Sequence, residues 1–149
     1  MSKKSYPNIE TIEDKEILGR RAFGKNIFLN ESSNHIRMEV FFDNRIENDL
    51  SLDRLGVGEA FKKILKKLIP LCEQHQSVIS KEFKGWAQLK KEQLKQHQVI
   101  PTPIYEPEEL KNIYHADLVR EKYRDKELAE TLAFALAYIA SSNDFIKRI

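Results

Sequence analysis

The chain has 149 residues, of which 41% are hydrophobic and 32% charged, and this length and composition predict one folded domain spanning residues 1–149. Its net charge of +2 is too small for a polycation, and its longest apolar run, residues 132–140, is too short to span a membrane. A single cysteine excludes an internal disulfide and fits a reducing compartment, so we expect a cytoplasmic protein without membrane contact.

The N-terminal part of the chain changes from polar to mixed composition. Residues 1–10 are polar, and we expect them to be flexible. A short helix is predicted over residues 13–23, with Thr11 as its N-cap, although Gly19 lowers its helix propensity.

The clearest strand pattern lies between residues 36 and 42. Apolar and mostly polar residues alternate there, which is the period of a strand with one buried side. A second apolar run at 27–29 precedes it, with turn-forming residues between the two. We therefore predict a hairpin over residues 27–42, followed by a short strand at 50–52.

A helix is predicted after Gly56 and Gly58. Apolar residues recur at steps of three and four between Phe61 and Cys72, with lysines on the opposite side, and Pro70 is expected to end or kink the helix. A strand at 78–87 and a polar helix at 89–97 follow. The Pro-rich stretch 100–107 is predicted to be an extended connector within the domain.

The last predicted helix, residues 125–140, is apolar on nearly all sides in its second half. Such a helix is buried or contacts a partner, and Phe134 and Tyr138 on its second side are the candidate partner interface. Together the elements predict an α+β fold, with a small antiparallel sheet and helices packed on one side of it.

The segment 43–54 concentrates charged residues between a predicted strand and a predicted helix. Scaffold-held loops often carry functional groups. Arg45 and Arg54 are therefore candidate phosphate clamps, and Asp53 is a candidate catalytic residue. A solvated loop with local ion pairs explains the same composition and is the commoner case.

His115 and Asp117 lie two positions apart. On an extended segment both side chains point to one side, so Asp117 can orient the His115 imidazole for acid–base chemistry. On a helix the same spacing would separate them, and a structural histidine is the commoner alternative.

Basic residues dominate the segment 61–98. Its candidate contacts to an anion or a nucleic acid are Lys62, Lys63, Lys66, Lys67 and Lys84, with Trp86 stacking on a base if it is exposed. A lysine side that only keeps the protein soluble is the commoner explanation.

Two functional hypotheses follow from these residues. The first is a non-catalytic binding or adaptor protein that contacts a protein partner or a second copy through its C-terminal helix, and an anionic or nucleic-acid partner through its lysines. The second is a small metal-independent nuclease or nucleotide-processing enzyme that uses His115 and arginine clamps. No metal ligand spacing and no cofactor motif is found, so neither is expected.

Overall fold

The structure is a computed structural model that describes residues 11–30, 35–42, 49–104 and 114–148. The segment 1–10, the predicted clamp Arg45 and residues 105–107 of the Pro-rich connector lie outside the described residues.

A single antiparallel sheet forms the centre of the described chain, with strands in the order β4-β5-β2-β1-β3-β6. In chain order the strands are β1 (Ile17–Phe23), β2 (Leu50–Gly56), β3 (Phe83–Lys90), β4 (Ile100–Pro103), β5 (His115–Val119) and β6 (Ile146–Lys147). The helices are α1 (Ala60–Ile79), α2 (Lys91–Leu94) and α3 (Lys126–Ser141). This confirms the α+β class and the antiparallel sheet.

The helices lie on both faces of the sheet, not on the one side expected from the sequence. Successive residues of a strand point to opposite faces. Leu55 of β2 packs with the buried side of α1, whereas Leu52 packs with Leu132 and Leu136 of α3. We call these two sides of the sheet the α1 face and the α3 face.

The predicted hairpin over residues 27–42 is not part of the sheet. A bridge joins Phe28 to Ile36, but residues Met38–Phe41 form a 3₁₀ turn. Phe41 is fully buried, and the Arg20 side chain binds the Val40 and Phe42 carbonyl oxygens in place of a neighbouring strand. These long-range contacts override the local strand pattern.

Residues 17–23 form strand β1, so the predicted helix over 13–23 is wrong. Gly19 explains why a strand is favoured here. A Cβ at Gly19 would lie 2.7 Å from side-chain atoms of both Leu55 and Trp86. The missing side chain lets these two large residues pack directly over the strand.

Helix α1 extends beyond its predicted end at Pro70 and reaches Ile79. Pro70 has no N–H, so the backbone carbonyl four residues before it lacks its helical hydrogen bond. Because Pro70 is exposed, water can solvate that carbonyl. The predicted strand at 78–87 accordingly begins later, at Phe83.

Two C-terminal predictions agree closely with the structure. Helix α3 begins after Asp125, whose carboxylate accepts a hydrogen bond from the Leu128 N–H as an N-cap. The start of the Pro-rich stretch is extended, but it forms edge strand β4, where proline is tolerated. No helix in the described ranges has the length and apolarity needed to cross a bilayer.

Candidate functional site

A polar cleft of about 240 Å³ opens on the sheet where β1 and β2 diverge. The backbone pairing of these strands ends at Gly19 and Asp53. Two arginines, two histidines, an aspartate and a serine supply its polar lining: Arg20, Arg21, Asp53, His75, His115 and Ser51.

The floor of the cleft is an ion pair between Arg21 and Asp53. Arg21 donates from Nε and Nη2 to the two carboxylate oxygens at 2.8 and 2.9 Å. The buried Trp86 donates from Nε1 to Asp53 Oδ2 at 2.8 Å. Both oxygens of Asp53 are therefore engaged, which favours a positioning role for this residue and not the catalytic role predicted for it.

His75 enters the cleft from α1. Its Nδ1 lies 3.2 Å from Arg21 Nη1, and because a guanidinium can only donate, Nδ1 must be the acceptor. Burial, reinforced by the charges of Arg21 and Arg20, lowers the pKa of His75 below its usual 6.5. The ring is therefore neutral at pH 7, with its proton on Nε2.

His115 reaches the cleft from β5, where it lies opposite Asp53 in the strand register. Asp117 is on the same side of β5, and its Oδ1 lies 3.1 Å from His115 Nε2. This is the proximity that the two-residue spacing predicts. The Nε2 atom is buried and makes no hydrogen bond of good geometry, so a small rotation of either side chain would complete a histidine–carboxylate pair.

Arg20 fixes the rim of the cleft. Its guanidinium donates to the backbone carbonyl oxygens of Val40, Ser51 and Phe42 at 3.0, 2.9 and 2.7 Å. These contacts hold the 3₁₀ turn Met38–Phe41 against the start of β2, and they place a positive charge beside the cleft.

The predicted site residues therefore separate into different groups. Asp53 and His115 meet in the cleft, and Asp117 stands beside His115. Arg54 does not join them. It is 1% exposed and pairs with Glu16 on the α3 face, so its predicted role as a phosphate clamp is wrong.

Four polar cleft residues were missed in the sequence: Arg20, Arg21, Ser51 and His75. The arginines lie in the segment that was predicted to be helical. With that assignment, the face of the sheet to which each arginine points could not be predicted. Residues 20–23 are two polar residues followed by two apolar ones. They therefore lack the strict alternation of polar and apolar residues that indicates a strand.

The lysine-rich segment gives mixed results. Lys62, Lys63, Lys66 and Lys67 are exposed on α1, as predicted, whereas Lys84 pairs with Glu82 at 3.0 Å at the start of β3. Trp86 is 0% exposed, so it cannot stack on a base and its predicted binding role is wrong.

The candidate partner interface lies on the other side of the molecule. Phe134 and Tyr138 of α3 are 66% and 75% exposed. With Leu29 they line an apolar groove of about 580 Å³ between α3 and residues 35–39. We call this the α3 groove.

Two further observations concern cysteine and metal chemistry. Burial raises the pKa of the Cys72 thiol to about 12, so this residue is a packing group at neutral pH. In the described part of the chain, no group of three or more His, Cys, Asp or Glu side chains is arranged to hold a metal ion.

Comparison with known proteins finds no match among protein-family models, curated proteins or solved structures.

Proposed function

We propose that the protein binds a phosphodiester in the cleft and cleaves it by acid–base catalysis at His115. The observation that carries this proposal is the convergence of Arg21, His75 and His115, from β1, α1 and β5, on one polar cleft. A histidine of lowered pKa beside arginines in a concave site, as His75 is here, is typical of catalytic centres. We also propose that the protein works in the cytoplasm, as expected from the sequence.

The arginine and the neutral histidine would bind the phosphate oxygens. Arg21 uses three of its five N–H groups for Asp53 and His75, which leaves two on its terminal nitrogens. The His75 Nε2–H is a further neutral donor. The cleft is below the usual range for drug-sized ligands, which suits a phosphate with a small attached group.

His115 would move the proton. His115 Nε2 lies 3.1 Å from Asp117 Oδ1, and the small rotation that completes this hydrogen bond would leave Nδ1 as the basic nitrogen that removes a proton from the attacking hydroxyl. The attacking oxygen then forms a bond to phosphorus, while the bond between phosphorus and the leaving oxygen breaks. His115 returns its proton to that leaving oxygen, so the reaction balances without a further reactant.

The test is turnover of an RNA dinucleotide by the wild type and by the His115→Ala variant. Loss of a positioned acid–base group is expected to lower kcat by about 100-fold or more. Asp117→Asn is expected to lower it less and to move the pH–rate profile, because the ring loses its charged partner. His97→Ala is the matched control, since His97 lies after α2 and does not line the cleft.

Circular dichroism and thermal unfolding would check that the variants fold. A wild-type protein that leaves the dinucleotide intact would remove the proposal. An equal rate for the folded His115→Ala variant would do the same.

A second proposed function rests on the α3 groove. The exposure of Phe134 and Tyr138 on one side of a helix favours burial against a partner, and a helix of this kind can pair with its own copy about a two-fold axis. We propose that this surface forms a homodimer.

Analytical ultracentrifugation tests the dimer. The double variant Phe134→Ser and Tyr138→Ser is expected to be monomeric at concentrations where the wild type is a dimer. Leu128→Ser is the control, because Leu128 is exposed on the same helix but does not line the groove. A strictly monomeric wild type at every concentration tested contradicts the proposal.

A further inference from the structure

One flank of α1 borders the cleft and carries two lysines. Lys63, Lys67, Gln74 and Val78 recur at helical spacing along this flank, and His75 lies between it and the sheet. Lys67 Nζ is 3.4 Å from the Tyr114 hydroxyl, and Tyr114 directly precedes His115. The flank therefore faces β5, the strand that carries the candidate acid–base residue. We call it the β5 flank.

The other two lysines of α1, Lys62 and Lys66, are turned from Lys63 and Lys67 by about 100° around the helix axis. Their side of the helix turns toward β6, because Glu73 and Gln76 contact Arg148 there. None of the four lysines forms an ion pair with another described residue. The chain thus offers two pairs of exposed lysines on one helix, and Lys67, a member of one pair, contacts Tyr114 next to the cleft residue His115.

We propose that the β5 flank binds the backbone of a single-stranded RNA whose cleaved phosphodiester lies in the cleft. This inference rests on the proposed function and names its substrate class. Lys67 is eight residues from His75, which is about 12 Å along the helix. Stacked nucleotides rise about 3.4 Å each, so that distance corresponds to three or four nucleotides.

The chemistry of the flank fits a backbone contact and not the recognition of bases. Lysine is a flexible point charge that pairs with a phosphate without a fixed geometry. The one tryptophan of the region is buried, so Trp86 offers no exposed face on which a base could stack. Binding is therefore expected to depend on salt and little on sequence.

The experiment measures the affinity of a fluorescent single-stranded RNA of about ten nucleotides at several salt concentrations. It uses the full chain with His115→Ala, so that the RNA is not cleaved during the titration. Adding Lys63→Ala and Lys67→Ala removes the β5 flank charges. Adding Lys62→Ala and Lys66→Ala gives a control with the same net charge, and all four sites are exposed.

Each lost phosphate contact on a single strand lowers the slope of log affinity against log salt by about 0.7, so the flank variant is expected to lose about 1.4. The control is expected to keep the slope of its parent. Equal slopes in the two double variants would overturn the proposal. Flank-dependent binding to phosphatidylserine vesicles, without RNA binding, would overturn it as well.

The binding titration and the dinucleotide assay can fail separately. Turnover of the dinucleotide, together with an RNA affinity that does not depend on the β5 flank, would remove the proposed RNA-binding role of the flank and leave the catalytic proposal. A flank effect with no turnover would establish RNA binding and remove the proposed catalysis.

Discussion

Asp53 and Arg54 are neighbours in β2, yet they belong to two different regions of the molecule. Each pairs with an opposite charge from the N-terminal part of the chain: Asp53 with Arg21, and Arg54 with Glu16. Because a strand alternates its sides, the first pair lies on the α1 face and the second on the α3 face.

The two pairs have similar geometry but different access to solvent. Glu16 and Arg54 are each 1% exposed, with bonds of 2.7 and 2.9 Å. Arg21 is 20% exposed beside the cleft. We call the Glu16–Arg54 pair the sealed pair and the Asp53–Arg21 pair the open pair. The sealed pair is buried on both sides and can only stabilise the fold, whereas Arg21 of the open pair is accessible to a ligand. A pair of carboxylate and guanidinium therefore serves structure on one face and the candidate site on the other.

The largest expected effect comes from breaking the sealed pair. Glu16→Gln removes the buried carboxylate that binds the Arg54 guanidinium through two hydrogen bonds, so the free energy of unfolding is expected to fall by about 3–5 kcal/mol. Urea unfolding followed by circular dichroism measures this loss.

The double variant Glu16→Leu and Arg54→Met checks the cause of that loss. It removes both charges together, and it is expected to recover most of the stability lost by Glu16→Gln. A double variant as unstable as the single one would show that the pair does more than balance buried charge.

A smaller effect is expected from the open pair. Asp53→Asn replaces one carboxylate oxygen by an N–H donor, which opposes an Arg21 N–H in either orientation of the amide. The free energy of unfolding is expected to fall by about 2 kcal/mol, less than for Glu16→Gln, because water can reach Arg21. Unlike Glu16→Gln, this variant is also expected to weaken the binding of inorganic phosphate, as measured by isothermal titration calorimetry. Unchanged phosphate affinity in the folded variant would contradict the role of Arg21.

The sequence predicted those parts of the fold that local patterns determine. Helix α3 and its cap Asp125 follow from apolar spacing and capping chemistry, and the α+β class follows from mixed periods. The proximity of His115 and Asp117 could be predicted because it needs only an extended backbone.

The remaining features depend on contacts between distant residues. Residues 36–42 have a strand period, but Arg20 and the packing of Phe41 hold part of them in a 3₁₀ turn. The cleft is lined by residues from β1, β2, α1 and β5. The spacing of residues within any one of these segments does not predict that they lie close together. Grouping Asp53 with Arg54 failed because the length and direction of β2 were not known from the sequence.

The smallest expected effect is the pH dependence that His75 adds to stability. Its pKa is lowered in the folded protein by burial and by the charges of Arg21 and Arg20, so the unfolded chain binds the proton more readily. Stability is therefore complete above pH 6.5, and it is lost as the pH falls from there toward the folded pKa. His75→Gln is expected to flatten this part of the profile of unfolding free energy against pH. An NMR titration of the His75 ring with a midpoint above 6.5 would show that the open arginine does not act on it, and the contrast between the two pairs would lose its electrostatic basis.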